Sequence, residues 1–208
     1  MPAHTTYIES HLGGGAVIRH KKPAGTNIGI DVDAQVIARW QAERPEICSL
    51  VHGDAAAFLA QYPFKGTELV YSDPPYMKAT RRKARVYRHD LEDQDHARLL
   101  AVLKALPCMV MISGYDSQLY RDLLTGWHLT SFFARTRADM RKECLWCNFE
   151  PPLKLHDGTH LGATFRERQS IKRRHQRWLE RLELMPPAER SHLLSMIRER
   201  YMPEAPSA

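Results

Sequence analysis

From Thr6 to about Phe149, short β-like runs alternate with segments of helical apolar spacing. That alternation is the signature of a mostly parallel sheet flanked by helices. Strands are expected at Thr6 to Glu9, Asn27 to Val32, Ser49 to Gly53, Glu68 to Ser72, Cys108 to Ser113, His128 to Phe133 and Glu143 to Phe149. Between them Ala34 to Ala42, Ala55 to Gln61, Asp93 to Leu106 and Ser117 to Leu124 read as helices, the third carrying an apolar stripe at Leu99, Leu100, Leu103 and Leu106. The last two strands are separated by a polar segment rather than a helix. They are therefore expected to form an antiparallel hairpin at one edge of the sheet, with Pro151-Pro152 ending the domain. Residues 1–152 make this α/β domain, and 153–208 a basic helical extension with helices at Phe165 to Leu184 and Ala188 to Tyr201, separated by Pro186-Pro187.

At 208 residues the chain can bury a sizeable core. No apolar run approaches the roughly 18 residues a membrane helix needs. The N-terminus MPAHTTYIES lacks the basic and apolar segments of a secretory signal, so an intracellular, cytoplasmic protein is expected. Cys48, Cys108, Cys144 and Cys147 lie in apolar, strand-like segments, which suits buried thiols rather than a disulfide framework. Cys144 and Cys147 have the spacing of a metal or redox pair, but on a strand positions i and i+3 face opposite sides; no second pair completes a zinc site, and no metal is expected. His89 and His96 flank the acidic run Asp90 to Asp95 and read as surface residues. The formal charge is +6, with cations concentrated at Arg81 to Arg88 and Arg166 to Arg181. Such a distribution favours a polyanionic partner.

Chemistry concentrates at the strand ends. Gly13-Gly14-Gly15 follows the first strand, where open α/β sheets place their ligand crevice. The second strand ends in Asp31, sixteen positions after Gly15, the arrangement in which a carboxylate accepts hydrogen bonds from ribose hydroxyls. Asp54 follows the third strand and suits either a nucleoside amino group or the N-cap of the helix beginning at Ala55.

The fourth strand runs into Asp73-Pro74-Pro75-Tyr76. An amine conjugated into a purine ring is a poor nucleophile, and a catalyst must hold its hydrogens with acceptors that favour a pyramidal nitrogen. Asp73 supplies one acceptor. The Pro74 carbonyl supplies another, its direction fixed because adjacent prolines restrict φ and bring no competing donor. Tyr76 offers a face on which an unstacked base can rest.

With the glycine turn, the acidic strand ends and Asp73-Pro74-Pro75-Tyr76 in this order, residues from Thr6 to Pro152 resemble the Dam-like class of DNA adenine-N6 methyltransferases. The resemblance implies a class I, Rossmann-like methyltransferase fold. It implies S-adenosylmethionine at Gly13, Gly14, Gly15, Asp31, Asp54 and Asp73, with Glu9 and His11 beside the turn, and a target adenine between Asp73 and Tyr76. Met109 to Tyr115 and Glu143 to Pro152 look like the family's strand-five and strand-seven segments.

Three departures stand out. Glu9-Ser10-His11-Leu12 replaces the family's Glu-Pro-Phe, so the aromatic wall beside the cofactor is missing or supplied elsewhere. The family's N-terminal Gly-Gly-Lys motif is not found, which is expected to weaken cofactor binding. Only eighteen residues separate Asp54 from Asp73, leaving no room for an inserted recognition domain. Recognition is then expected from Lys78, Arg81, Arg82, Lys83, Arg85 and Arg88, placed to contact phosphates of DNA, and from the basic C-terminal helix. The same pocket would serve an adenine in RNA, and a nucleic-acid-binding relative without turnover is the alternative outside enzymology.

Overall fold

The structure is a computed structural model that describes residues 1–80, 88–135 and 140–202. Its sheet has seven strands in the order β3-β2-β1-β4-β5-β7-β6. The strands are β1 (Thr6–Glu9), β2 (Thr26–Asp31), β3 (Ser49–His52), β4 (Glu68–Ser72), β5 (Met109–Gly114), β6 (His128–Arg135) and β7 (Met140–Cys147). The first five are mutually parallel, and β7 runs antiparallel to both β5 and β6. The expected mostly parallel, Rossmann-like sheet with its antiparallel edge hairpin is the sheet observed. The hairpin is longer than the apolar pattern indicated. Pairing continues from His128↔Cys147 to Arg135↔Met140, so β7 begins ahead of Glu143, in residues whose polar side chains hide a strand bonded through its backbone.

Period-two alternation divides each strand between two apolar layers. Ile8, Ile30, Val70, Val110 and Ile112 pack with α3 (Ala55–Gln61), α4 (Asp93–Ala105) and α5 (Gln118–Leu123) through Leu59, Leu99, Leu100, Leu103 and Tyr120. Their neighbours Tyr7, Leu69, Tyr71 and Met111 turn to the opposite face, against Leu12, Ile18 and Trp40. Ile18 belongs to α1 (Ala16–His20) and Trp40 to α2 (Ala34–Glu43). Burying side chains such as Leu100 and Leu103 stabilises by roughly 1.5–3 kcal/mol each before entropy is charged.

Helix starts are set by side-chain caps. Asp33 accepts from the Gln35 amide, Asp54 from Ala57, Ser117 from Tyr120, and Glu92 with Asp95 forms a reciprocal box at α4. One sequence expectation needs correction here. His96 is not a surface residue: it is fully buried on α4, its Nδ1 3.0 Å from the Tyr120 hydroxyl of α5. The cause is positional, since His96 lies three, four and seven residues before Leu99, Leu100 and Leu103 and so shares their stripe.

The chain divides into two compact units, Met1–Asp157 and Gly158–Ala208. The second contains α6 (Phe165–Leu184), capped by Thr164, and α7 (Pro187–Tyr201); neither helix has a fully buried residue. No helix among the described residues is long and apolar enough to cross a membrane.

Candidate active site

A crevice of about 390 Å³ opens beyond the carboxyl ends of β1, β2, β3 and β4, within the range of small-molecule sites. Its lining includes His11, Gly13, Asp31, Asp33, Asp54, Asp73, Pro75 and Arg88. Parallel pairing of β1 with β2 and β4 is what converges these strand ends on one edge.

The three glycines have different tasks. Gly13 has φ of 46° and lies on the crevice wall; its amide donates to Asp31 Oδ2 at 2.8 Å, and its carbonyl accepts from the Trp40 indole at 3.0 Å. Gly15 has φ of 61°, and a Cβ there would lie 2.2 Å from Trp40 Cζ2. Its lack of a side chain is a packing requirement that seats α1 over α2. At Gly14, which is outside the lining, an added Cβ meets nothing.

Asp31 is thus anchored rather than loose. Oδ2 holds the Gly13 amide and Oδ1 the Asp33 amide at 2.9 Å, leaving each oxygen a further lone pair. Asp54 both caps α3 and pairs with Arg98 Nη2 at 2.7 Å. Burial pushes its carboxyl up, but the Ala57 amide and the Arg98 guanidinium outweigh it and hold the pKa below the ordinary value.

Glu9 and His11 diverge although they are two residues apart. Glu9 is buried and does not line the crevice; its Oε2 accepts from the Tyr7 hydroxyl and the Ile18 amide, both at 2.9 Å. Its carboxylate is engaged with α1, and burial lifts its pKa to about 7. His11 faces the crevice, with Nδ1 2.9 Å from Ser10 Oγ and 3.4 Å from Ser72 Oγ. Burial among protein atoms, with His96 adding repulsion, lowers its pKa to about 4. At neutral pH it presents an uncharged ring to the site.

Asp73 follows β4 directly and opens into the crevice. It is fixed from beneath by Ser113 at the end of β5, whose hydroxyl donates to Asp73 Oδ1 at 2.8 Å. Ser113 also lies 2.9 Å from the Tyr71 hydroxyl. Because Ser113 has one proton and gives it to Asp73, Tyr71 donates to Ser113, forming a relay of three side chains. Crowding by protein raises the Asp73 pKa, against the lowering effect of hydrogen bonds from Ser113 and Tyr76. Tyr76 meets Tyr115 edge to face at 4.4 Å between centroids, and the Arg141 guanidinium covers Tyr115 at 4.8 Å. Pro74 is buried beside them.

Two of the cations expected at phosphates are described, and both are ion-paired: Lys78 with Glu92, and Arg88 with Asp33 at 2.7 Å on the crevice rim. Water and salt screen surface pairs of this kind, so both cations can exchange partners. Arg81, Arg82, Lys83 and Arg85 lie outside the described residues.

No protein-family model and no curated protein matches the chain. Solved structures do. It is similar to magnesium protoporphyrin IX methyltransferase from Synechocystis PCC 6803 with bound SAM, at 12% identity over 71% of each chain, with a TM-score of 0.46. An rRNA methylase from Streptococcus thermophilus aligns at 11% identity over 71% of this chain and 88% of its own, with a TM-score of 0.45. TrmN from Thermus thermophilus gives 12% identity over 70% and 43%, with a TM-score of 0.47.

What the crevice can bind follows from its charge. Among the described residues Asp31, Asp33, Asp54, Asp73 and Asp90 line it, with Arg88 as the one Lys or Arg side chain. The Gly13 amide, which a dinucleotide pyrophosphate would need, already belongs to Asp31. The described lining therefore favours a cationic or hydroxyl-bearing group over a phosphate.

Residue-by-residue reading of the sequence did not single out Ser113, Tyr115, Arg98 or Trp40. Ser113 had a signal, since it ends the strand that pairs with β4; Arg98 and Trp40 sit on helices whose sequence does not reveal which side chains reach the glycine turn or Asp54.

Proposed function

We propose that the chain transfers a methyl group from S-adenosylmethionine to the N6 amine of an unstacked adenine in DNA. The observation that carries this reading is Asp73: a carboxylate at the mouth of an acid-lined crevice, held by Ser113 and followed by two prolines and a tyrosine.

The residues fit the cofactor. Its sulfonium and ammonium charges suit a wall of carboxylates, its ribose suits the spare lone pairs of Asp31, and the neutral His11 ring occupies the place of the aromatic wall. When bound, it supplies an electrophilic methyl carbon. The chain's part is to bring the amine into line and to hold its hydrogens. Asp73 accepts one N–H through an oxygen whose direction Ser113 fixes, and the Pro74 carbonyl accepts the other. Preorganised acceptors of this kind cost no reorganisation at the moment of reaction. Tyr76 and Tyr115 offer aromatic surface against which an extruded base can lie, offsetting part of the few kcal/mol that unstacking costs. Lys78, Arg81, Arg82, Lys83, Arg85 and Arg88 follow Asp73-Pro74-Pro75-Tyr76 and are proposed to meet the flanking phosphates, the described two after leaving Glu92 and Asp33.

The test is transfer of labelled methyl to unmethylated duplex DNA and, separately, to total RNA, followed by nucleoside analysis. N6-methyladenine in DNA is expected, with Asp73→Asn at least about 100-fold slower yet still binding S-adenosylmethionine, and Asp31→Ala losing cofactor affinity first. Label in RNA alone would reassign the substrate. No label in either, despite cofactor binding, would overturn the enzymatic reading.

A further inference from the structure

The longest helix, α6, carries seven Lys and Arg residues against three Glu. At about 100° per residue, Arg166, Arg173 and Arg177 fall within a ~40° arc of its surface, spread along about 16 Å of axis. All three are exposed. Phe165, Gln169 and Ser170 join them in lining a shallow groove of about 430 Å³, adding two polar groups able to donate to oxygen.

What separates this arc from an ordinary solvated face is that three unpaired guanidinium groups line one groove together. Some exposed cations of the other unit find carboxylates, as Lys78 with Glu92, Arg88 with Asp33, Arg98 with Asp54 and Arg121 with Asp116, while others such as Lys22, Arg44, Lys65 and Lys104 stand singly without one among the described residues. Arg166, Arg173 and Arg177 have no ion-pair or hydrogen-bond partner among the described residues. Arg173 and Arg177 are also four apart, a like-charge spacing that destabilises a helix. The nearest acid, Glu180, instead accepts from Gln176 at 3.3 Å. Clustered like charge of this kind is lowered in energy by an anion that spans the groove.

We propose that this arginine arc contacts the phosphate backbone of a nucleic acid, as a sequence-independent anchor separate from the crevice. Guanidinium groups match phosphate oxygens in geometry as well as charge. An anionic membrane surface is the weaker partner. The opposite side of α6 bears Ile171, Trp178, Leu179 and Leu182, but His175 and Arg168 lie in the middle of it, so no clean apolar face is available to enter lipid. The proposal concerns binding alone and stands or falls independently of methyl transfer.

The experiment measures affinity of the full chain for a fluorescent 20-base-pair duplex by anisotropy between 50 and 200 mM salt, without cofactor. The variants are R166Q/R173Q/R177Q and the charge-keeping R166K/R173K/R177K. With a slope of about −0.9 per neutralised phosphate, losing three contacts should make the glutamine variant's affinity fall roughly 40-fold less across that salt range than wild type's. The lysine variant should keep the wild-type slope, and circular dichroism should show α6 intact in both. An unchanged slope in the glutamine variant overturns the proposal. So does an equal slope loss in both variants, which would mean a structural role. Tighter arginine-dependent binding to phosphatidylserine vesicles than to DNA would also overturn it, in favour of a membrane. Methyl transfer by the wild type, assayed separately against Asp73→Asn, reports on the crevice and leaves these outcomes unaffected.

Discussion

Glu9 offers a sharp test of how the first strand is used. The family resemblance puts it beside the cofactor, whereas the structure turns its carboxylate toward α1, accepting from Tyr7 and Ile18. Burial is the largest influence on it, outweighing those two hydrogen bonds and lifting its pKa from an ordinary 4.5 to about 7. A carboxyl with a raised native pKa holds its proton more tightly folded than unfolded. Its contribution to stability is therefore fully present below pH 4.5 and is lost as pH rises through about 7. At about 1.4 kcal/mol per pH unit, that interval is worth about 3 kcal/mol by pH 8.

Glu9→Gln cannot ionise but keeps an oxygen for the Ile18 amide. It should match wild type at pH 4 in urea denaturation and exceed it at pH 8, by as much as about 3 kcal/mol. Lys21, whose own pKa burial lowers to about 8 with Glu9 opposing, gives back part of the attraction it would lose, so the gain should fall below that limit. A variant less stable than wild type at pH 8 would refute the reasoning, because it would show that the ionised carboxylate is net stabilising where it sits. Cofactor affinity is the second readout: it should stay within about twofold of wild type, and a tenfold loss, about 1.4 kcal/mol, would return Glu9 to the cofactor.

Ser113→Ala removes a hydrogen bond that lowers the Asp73 pKa. Asp73 must be ionised to accept from the amine, so the acid limb of the rate should move to higher pH, and the rate at neutral pH should fall roughly 10-fold; a pH profile with an unmoved limb would sever Ser113 from Asp73. Gly15→Ala forces a Cβ against Trp40 at positive φ and should cost roughly 2–4 kcal/mol in denaturation, whereas Gly14→Ala, with open space above it, should cost under about 1 kcal/mol. Equal costs would mean that the turn, not the Trp40 contact, selects glycine.

The parts of this fold that were legible in the sequence are those written in local periodicity. β1 and β4 were bounded to the residue because their apolar runs end at charged or turn residues, and α3 because Asp54 is a strong cap before three alanines. α1 was missed because its five residues are too few to display a helical period, and its seating depends on Gly15 meeting Trp40, a contact 25 positions away. The site divides in the same way. Asp31, Asp54 and Asp73 could be found because strand ends of a parallel sheet converge, a rule of topology. The Tyr71–Ser113–Asp73 relay could not, because it requires knowing that β5 lies beside β4 in a register that matches Ser72 with Ile112.

The two units concentrate opposite charge, carboxylates at the crevice of one and guanidinium groups on the arc of the other. A chain with a formal charge of +6 has nonetheless placed five aspartates around one cavity. Each of Asp31, Asp33, Asp54 and Asp73 is held by an amide, a hydroxyl or a guanidinium, so these are fixed negative charges, not a loosely solvated cluster. These charges would repel a phosphate and attract a sulfonium, so under the proposed function a base enters while its phosphates stay outside. In the C-terminal unit the proposed phosphate contacts fall to Arg166, Arg173 and Arg177. Raising salt should weaken nucleic-acid binding steeply while changing cofactor affinity far less, because the loss grows with the number of phosphates whose counterions are released.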